Sequence, residues 1–144
     1  MIIIPSNVKY LSYAGIIPIL IGVIGSFDLS LMSNNFNTLL VEFGLLFSAL
    51  ILSFLGGCLF IFEIHLKSKI DFKGILISMC PSIWAVFSLL VPMSCFLLAI
   101  GFLATLERER SLSKIIIFPN WWLKIRFRLT TLMVLLLLIM GFNV

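Results

Sequence analysis

Charge is what this chain has least of. Only 11% of its 144 residues are Asp, Glu, Lys or Arg, against roughly a quarter in a soluble globular domain. That shortage excludes a fold whose whole surface faces water. Histidine occurs once, as His65, and the three cysteines, Cys58, Cys80 and Cys95, are scattered through apolar runs without a paired spacing. A zinc site needs three or four protein ligands at suitable spacing, so neither a metal nor another cofactor is expected. The cysteines read as small buried hydrophobes, and none sits in a clear outer loop where a disulfide would form. There is also no Gly-rich phosphate loop followed by lysine, no nucleophile elbow and no Ser/His/Asp set within reach. Enzyme is therefore the least supported class, and none is expected here. The net charge of +4 does not point to nucleic acid either. The basic residues stand directly beside apolar runs, where anionic lipid headgroups are the natural counter-ions.

Apolar residues are what the chain has in abundance: 62% are hydrophobic and the mean hydropathy is +1.25. The solvent of such a fold is lipid. Residues 1–144 read as a single all-α integral membrane domain, because a separate soluble domain has no room beside the spans. The first apolar run covers about 8–27 and ends at a Ser- and Asn-rich link, Asp28 to Thr38. The second covers about 39–62 and ends at the charged link Glu63 to Gly74. From Ile75 to Leu106 the apolar stretch would be about 48 Å long as one helix, which overshoots a hydrocarbon core of about 30 Å. Val91-Pro92-Met93-Ser94 lies near its middle, where a proline removes a backbone donor and favours a hairpin. Two short spans are expected, about 75–91 and 93–106, followed by a last one at about 129–142.

The positive charges test that count. All ten fall at Lys9, from Lys67 to Lys73, or from Arg108 to Arg128. With five transmembrane helices these places share one side, as the positive-inside rule requires, which puts the N-terminus in the cytoplasm and the C-terminus outside. A single crossing from 75 to 106 would split them four against six. A re-entrant hairpin there is the remaining alternative. The first run is not read as a secretory signal, since its small residues recur throughout and no A-x-A site follows. A bacterial cytoplasmic (inner) membrane is the expected location.

Small residues at four-residue spacing let helix backbones approach in lipid. Ala14, Pro18, Gly22 and Ser26 form one such row in the first span, with Gly15 beside it. Ala49, Ser53 and Gly57 form another in the second, with Ser48 and Gly56 alongside. No ionisable residue stands at mid-span. Asp28 and Glu42 lie at the outer ends of spans one and two and are a candidate ion site if the ends are adjacent. Glu63 and His65 lie at the inner end of span two, and Glu107-Arg108-Glu109-Arg110 reads as a solvated, locally paired face after span four. The last span opens with Pro119 at an expected first helical position, then Trp121-Trp122 at headgroup level. Lys124, Arg126 and Arg128 are the expected headgroup contacts.

Several of these stretches are similar to a known family. Tyr10-Leu11-Ser12-Tyr13-Ala14-Gly15-Ile16-Ile17-Pro18, Ser53-Phe54-Leu55-Gly56-Gly57, Pro81-Ser82 with Trp84, and Pro119 to Thr130 (PNWWLKIRFRLT) resemble, in order, the transmembrane protein 69 family, domain of unknown function 3429. The resemblance implies a small five-span protein of bacterial inner membranes or mitochondria. It matches Gly15, Pro18, Gly56, Gly57, Pro81, Trp84, Pro119, Trp122 and Arg126, and assigns none of them a chemistry. Where the family pattern continues the glycine pair with His-Trp-Gly, this chain has Leu59, Phe60 and Ile61. The functional expectation is a protein that acts by helix packing, as an assembly or stabilising subunit, with the bilayer and another membrane protein or itself as partners. A small homo-oligomeric transporter or channel is the alternative, and headgroup binding through Lys124, Arg126 and Arg128 a third.

Overall fold

The computed structural model describes residues 5–27, 34–66 and 71–144, and every regular element among them is helical. The first rod is two helices, α1 (Ser6–Ala14) and α2 (Ile17–Ser26). Pro18 has no amide to give the Ala14 carbonyl, so the chain tightens at Gly15–Ile16, where the Ile16 N–H donates to Tyr13 O at 3.0 Å. Next comes α3 (Asn34–Ile61), which runs into a π-helical turn at Phe62–Leu66. The antiparallel helices α4 (Phe72–Leu89) and α5 (Ser94–Leu112) follow, with Val91, Pro92 and Met93 in the turn between them, and α6 (Trp122–Asn143) is last.

The bundle therefore has five rods. Four of them, Ser6–Ser26, Asn34–His65, Phe72–Leu89 and Trp122–Asn143, are long and apolar enough to cross a membrane. The fifth, α5, is comparable in length but carries Glu107, Arg108, Glu109 and Arg110 in its last turns. One boundary differs from the expectation. Helix α6 begins at Trp122, after the expected first helical position at Pro119 and ahead of the apolar run that opens at residue 129, so Lys124, Arg126 and Arg128 belong to its first turns. Pro119 is not a helical residue: it lies in the preceding turn, where its carbonyl accepts the Trp122 N–H at 2.9 Å.

The core is filled by fully buried Ile19 of α2, Leu52 of α3, Leu98 and Phe102 of α5, and Leu137 and Met140 of α6. The outside is apolar as well. Leu46, Leu50 and Phe54 on α3, Ile83 and Val86 on α4 and Leu135 on α6 are all at least half exposed. A patch of that extent is untenable in water and is what a lipid-facing belt looks like.

Close approach is concentrated at glycines. A Cβ on Gly22 would lie 2.9 Å from Gly44 Cα, and one on Gly44 would meet Gly22 Cα at the same distance. Helices α2 and α3 thus cross backbone to backbone. On its other side α3 meets α4, where Gly56 faces the Ser78 carbonyl and Pro81, and Ser53 Oγ donates to Ser82 Oγ at 3.1 Å. Trp84 Nε1 donates to the Leu97 carbonyl at 2.8 Å and ties α4 to α5.

The Gly22–Gly44 crossing gives a direct test. Gly44→Leu forces a side chain into backbone, and unfolding in detergent should show a loss of about 1–3 kcal/mol. An unchanged denaturation midpoint would contradict the crossing.

Candidate functional site

The chemistry-bearing residues converge at one end of the bundle, where α3 and α5 finish and α4 and α6 begin. The buried face of α5 runs Cys95, Leu98, Ala99, Phe102, Thr105, Glu109 and Leu112, an apolar stripe at steps of three and four that carries Glu109 inward. On α6 the buried face includes Arg126, Thr130, Met133, Leu137 and Met140 at the same steps. The two stripes face each other, so the carboxylate and the guanidinium meet. Arg126 Nε donates to Glu109 Oε2 at 2.8 Å and to Oε1 at 3.1 Å. Glu109 is 0% exposed and Arg126 is 8% exposed.

A second pair lies at the same end. Glu63, in the π-helical turn, is fully buried and accepts from Arg108 Nη2. Its carboxylate rests against Gly74 in the first turn of α4, where any side chain would collide with it. A negative charge there also faces the positive end of the α4 dipole. The helix start is capped independently, by Asp71 Oδ1 accepting the Lys73 N–H at 3.2 Å.

Aromatic rings gather at the same end of the bundle. Phe62, Phe118 and Trp122 stack around one another, with ring centroids 4.9 Å apart for Phe62–Phe118 and 5.8 Å for Phe62–Trp122. Leu59, Leu112 and Ile116 form a small buried cluster beneath Phe62 and Phe118. Three polar atoms on α6 have no hydrogen-bond partner among the described residues: Trp122 Nε1, Arg126 Nη2 and Thr130 Oγ1. They are four residues apart along one face.

These placements correct several expectations. Arg126 is not a headgroup contact. At 100° per residue it points away from Lys124 and Arg128, which are exposed, and into the bundle. Glu107-Arg108-Glu109-Arg110 is not a uniformly solvated face, because α5 continues helically past Leu106 and turns Glu109 inward. Glu63 is likewise buried rather than solvated, whereas His65 beside it is exposed. Cys95 is buried, but Cys80 is exposed and Cys58 half-buried.

The expected packing positions separate by exposure. Gly22, Ser26, Ala49 and Gly56 are buried, Gly15, Pro18 and Ser53 half-buried, and Ala14 and Gly57 exposed. A four-residue row drifts by about 40° per step around a helix. Ala49, Ser53 and Gly57 consequently pass from inside to outside along one row. Pro81 is buried against Gly56, Trp84 bridges to α5, and Pro119 is exposed. Glu42 is exposed. Asp28 lies outside the described residues, and with it the Asp28–Glu42 site.

The sequence reading passed over both ionic pairs. A signal was there: Arg126 and Glu109 each extend an apolar stripe by one regular step, as Glu63 extends the α3 stripe four residues beyond Leu59.

A family model described as "Protein of unknown function (DUF3429)" matches residues 4–142 of this chain. No curated protein and no solved structure matches it.

Removing one partner of a buried pair strands the other charge, at about 3–5 kcal/mol. Arg126→Met should therefore destabilise the protein by that amount in chemical denaturation, while Arg126→Met with Glu109→Leu should recover most of it. Equal losses for the single and double variants would mean that the pair is not buried as described.

Proposed function

We propose that this chain, which belongs to the DUF3429 family of proteins of unknown function, is a non-enzymatic multi-pass membrane protein that acts by helix packing, as an assembly or stabilising subunit of a membrane complex. The observation that carries this reading is Gly57. It sits on the outer face of α3 near exposed Leu50, Phe54 and Ile61, and a Cβ there would meet nothing within 4 Å. By contrast, Gly22, Gly25, Gly44, Gly56, Gly101 and Gly141 are each crowded by a neighbouring helix. An unpacked glycine inside a helix costs about 0.5–1 kcal/mol relative to alanine. In lipid it also leaves a notch that a second helix can enter closely.

The interior supports a packing role over conduction. Leu52, Leu98, Phe102 and Leu137 fill the middle of the bundle, and the buried acids Glu63 and Glu109 are held by arginines at one end. In this reading the partner is a second membrane protein within the bilayer, self-association belonging to the transport reading below, and nucleic acid is not involved. With five crossings the positive charges would share one side, which supports an orientation with the N-terminus inside, and a bacterial cytoplasmic membrane is the location we infer. The motifs from Tyr10 to Thr130 support kinship with transmembrane protein 69.

A small homo-oligomeric transporter or channel is the second reading. It draws on the interruption at Gly15–Ile16 and on Pro81 inside α4, since broken helices line many transport sites.

Cross-linking in intact cells, gentle extraction and mass spectrometry of the tagged protein separate the two. A foreign membrane protein at near-equal amount is expected, with recovery falling about tenfold in Gly57→Leu while stability changes by less than about 0.5 kcal/mol. Self-association alone would favour the transport reading. Unchanged recovery of the partner by Gly57→Leu would remove this surface from the assembly.

A further inference from the structure

A crevice of about 340 Å³ opens between α4 and α5 toward the lipid side, floored by Leu59 of α3. Its walls are Ile77, Pro81 and Trp84 on one helix and Ile100 and Ala104 on the other, with Arg108 at one end. We propose that this crevice binds one lipid acyl chain whose anionic phosphate headgroup is held at Arg108.

Three features lead to that occupant. First, the crevice is a built space. Trp84 is fixed by its bond to the Leu97 carbonyl, and Gly101 gives it room, since a Cβ there would come within 2.9 Å of the indole. Second, the walls are apolar along about 12 Å of α5, from Ile100 to Arg108 at about 1.5 Å per residue, and a hydrocarbon chain fills such a slot without stranding a polar group. Third, the end offers hydrogen-bond donors to an anion. Arg108 gives one N–H to Glu63 and its side chain keeps 26% exposure, while a guanidinium has five donors, so donors remain for a phosphate. Glu63 takes the first hydrogen bond and thereby holds the guanidinium at the mouth.

The surrounding charge favours an anion. Lys73, Arg110, Lys114, Lys124 and Arg128 are exposed at this end, against exposed Asp71 and Glu107. Such clusters at the membrane surface attract anionic headgroups. This proposal is independent of the assembly reading, because the crevice lies between α4 and α5 and not on the outer face around Gly57.

The test is native mass spectrometry of the full chain extracted in mild detergent from bilayers of equal phosphatidylglycerol and phosphatidylcholine. The wild type should retain one phosphatidylglycerol per chain, in preference to phosphatidylcholine by about tenfold. Ala104→Phe fills the slot without touching the charges and should reduce retention about tenfold at an unchanged melting temperature. Glu63→Gln with Arg108→Gln keeps a polar pair and removes the cation, and should abolish the headgroup preference. Equal retention of the two lipids by the wild type would overturn the proposal, as would undiminished retention by folded Ala104→Phe. Displacement of the retained lipid by inorganic phosphate alone would also overturn it, since the acyl chain would then not be held. Should Ala104→Phe fail to fold, the wild-type preference and its loss in the double variant decide the matter.

Discussion

A carboxylate withdrawn from water must take a cation with it, and the Glu109–Arg126 pair is where this bundle meets that demand. The ionised forms are tolerable at that depth only because Arg126 Nε reaches both oxygens and because the two side chains come from facing stripes. The requirement fixes the relative rotation of α5 and α6. It also fixes their register, since a shift of one residue on either helix would turn a charge toward lipid. Glu63 and Arg108 impose the same demand between the end of α3 and α5, and Gly74 brings the first turn of α4 against that carboxylate. Four helices are thus indexed to one another by two acids and two bases. A buried ion pair adds little net stability compared with a hydrophobic pair of similar volume, so registry is the better account of its presence.

The rest of the bundle can then rely on contacts that carry no directional information. Lipid and leucine are equally apolar, so burial alone gives helices no reason to choose one neighbour over another. Close glycine crossings supply that choice at the other positions. Gly22 against Gly44 sets α2 on α3, and Gly56 against Pro81 sets α4 on the opposite side of α3. Helix α3 becomes the central member, contacting α2, α4 and α5. Gly57 stands one residue away from Gly56 and faces out, so the surface proposed for a partner lies directly beside an internal contact.

Much of this was legible in the chain. The helical class, the hairpin around Pro92 and the crowding at the two glycine-rich spans all follow from properties that a residue carries wherever it is placed: hydropathy, a missing amide, a missing Cβ. The ionic cluster was less legible because end-of-helix charges look alike whether they face solvent or a neighbour. Arg126 sits between Lys124 and Arg128 in an ordinary interfacial belt. Only the continuation of its stripe through Thr130, Met133 and Leu137 separates it from them. The packing rows failed in an instructive way, since a strict four-residue repeat drifts around the helix and carries Gly57 to the outside.

By itself, the sequence determined the lipid solvent, the helical class and the confinement of positive charge to three short stretches, because these depend on how much of each residue type lies in each run. Which face of each helix points inward, which acid meets which base and which glycine is left unfilled were decided only by the tertiary structure. Those outcomes depend on the angle and register of one helix against another, and a pairwise geometry of that kind is not contained in either helix alone.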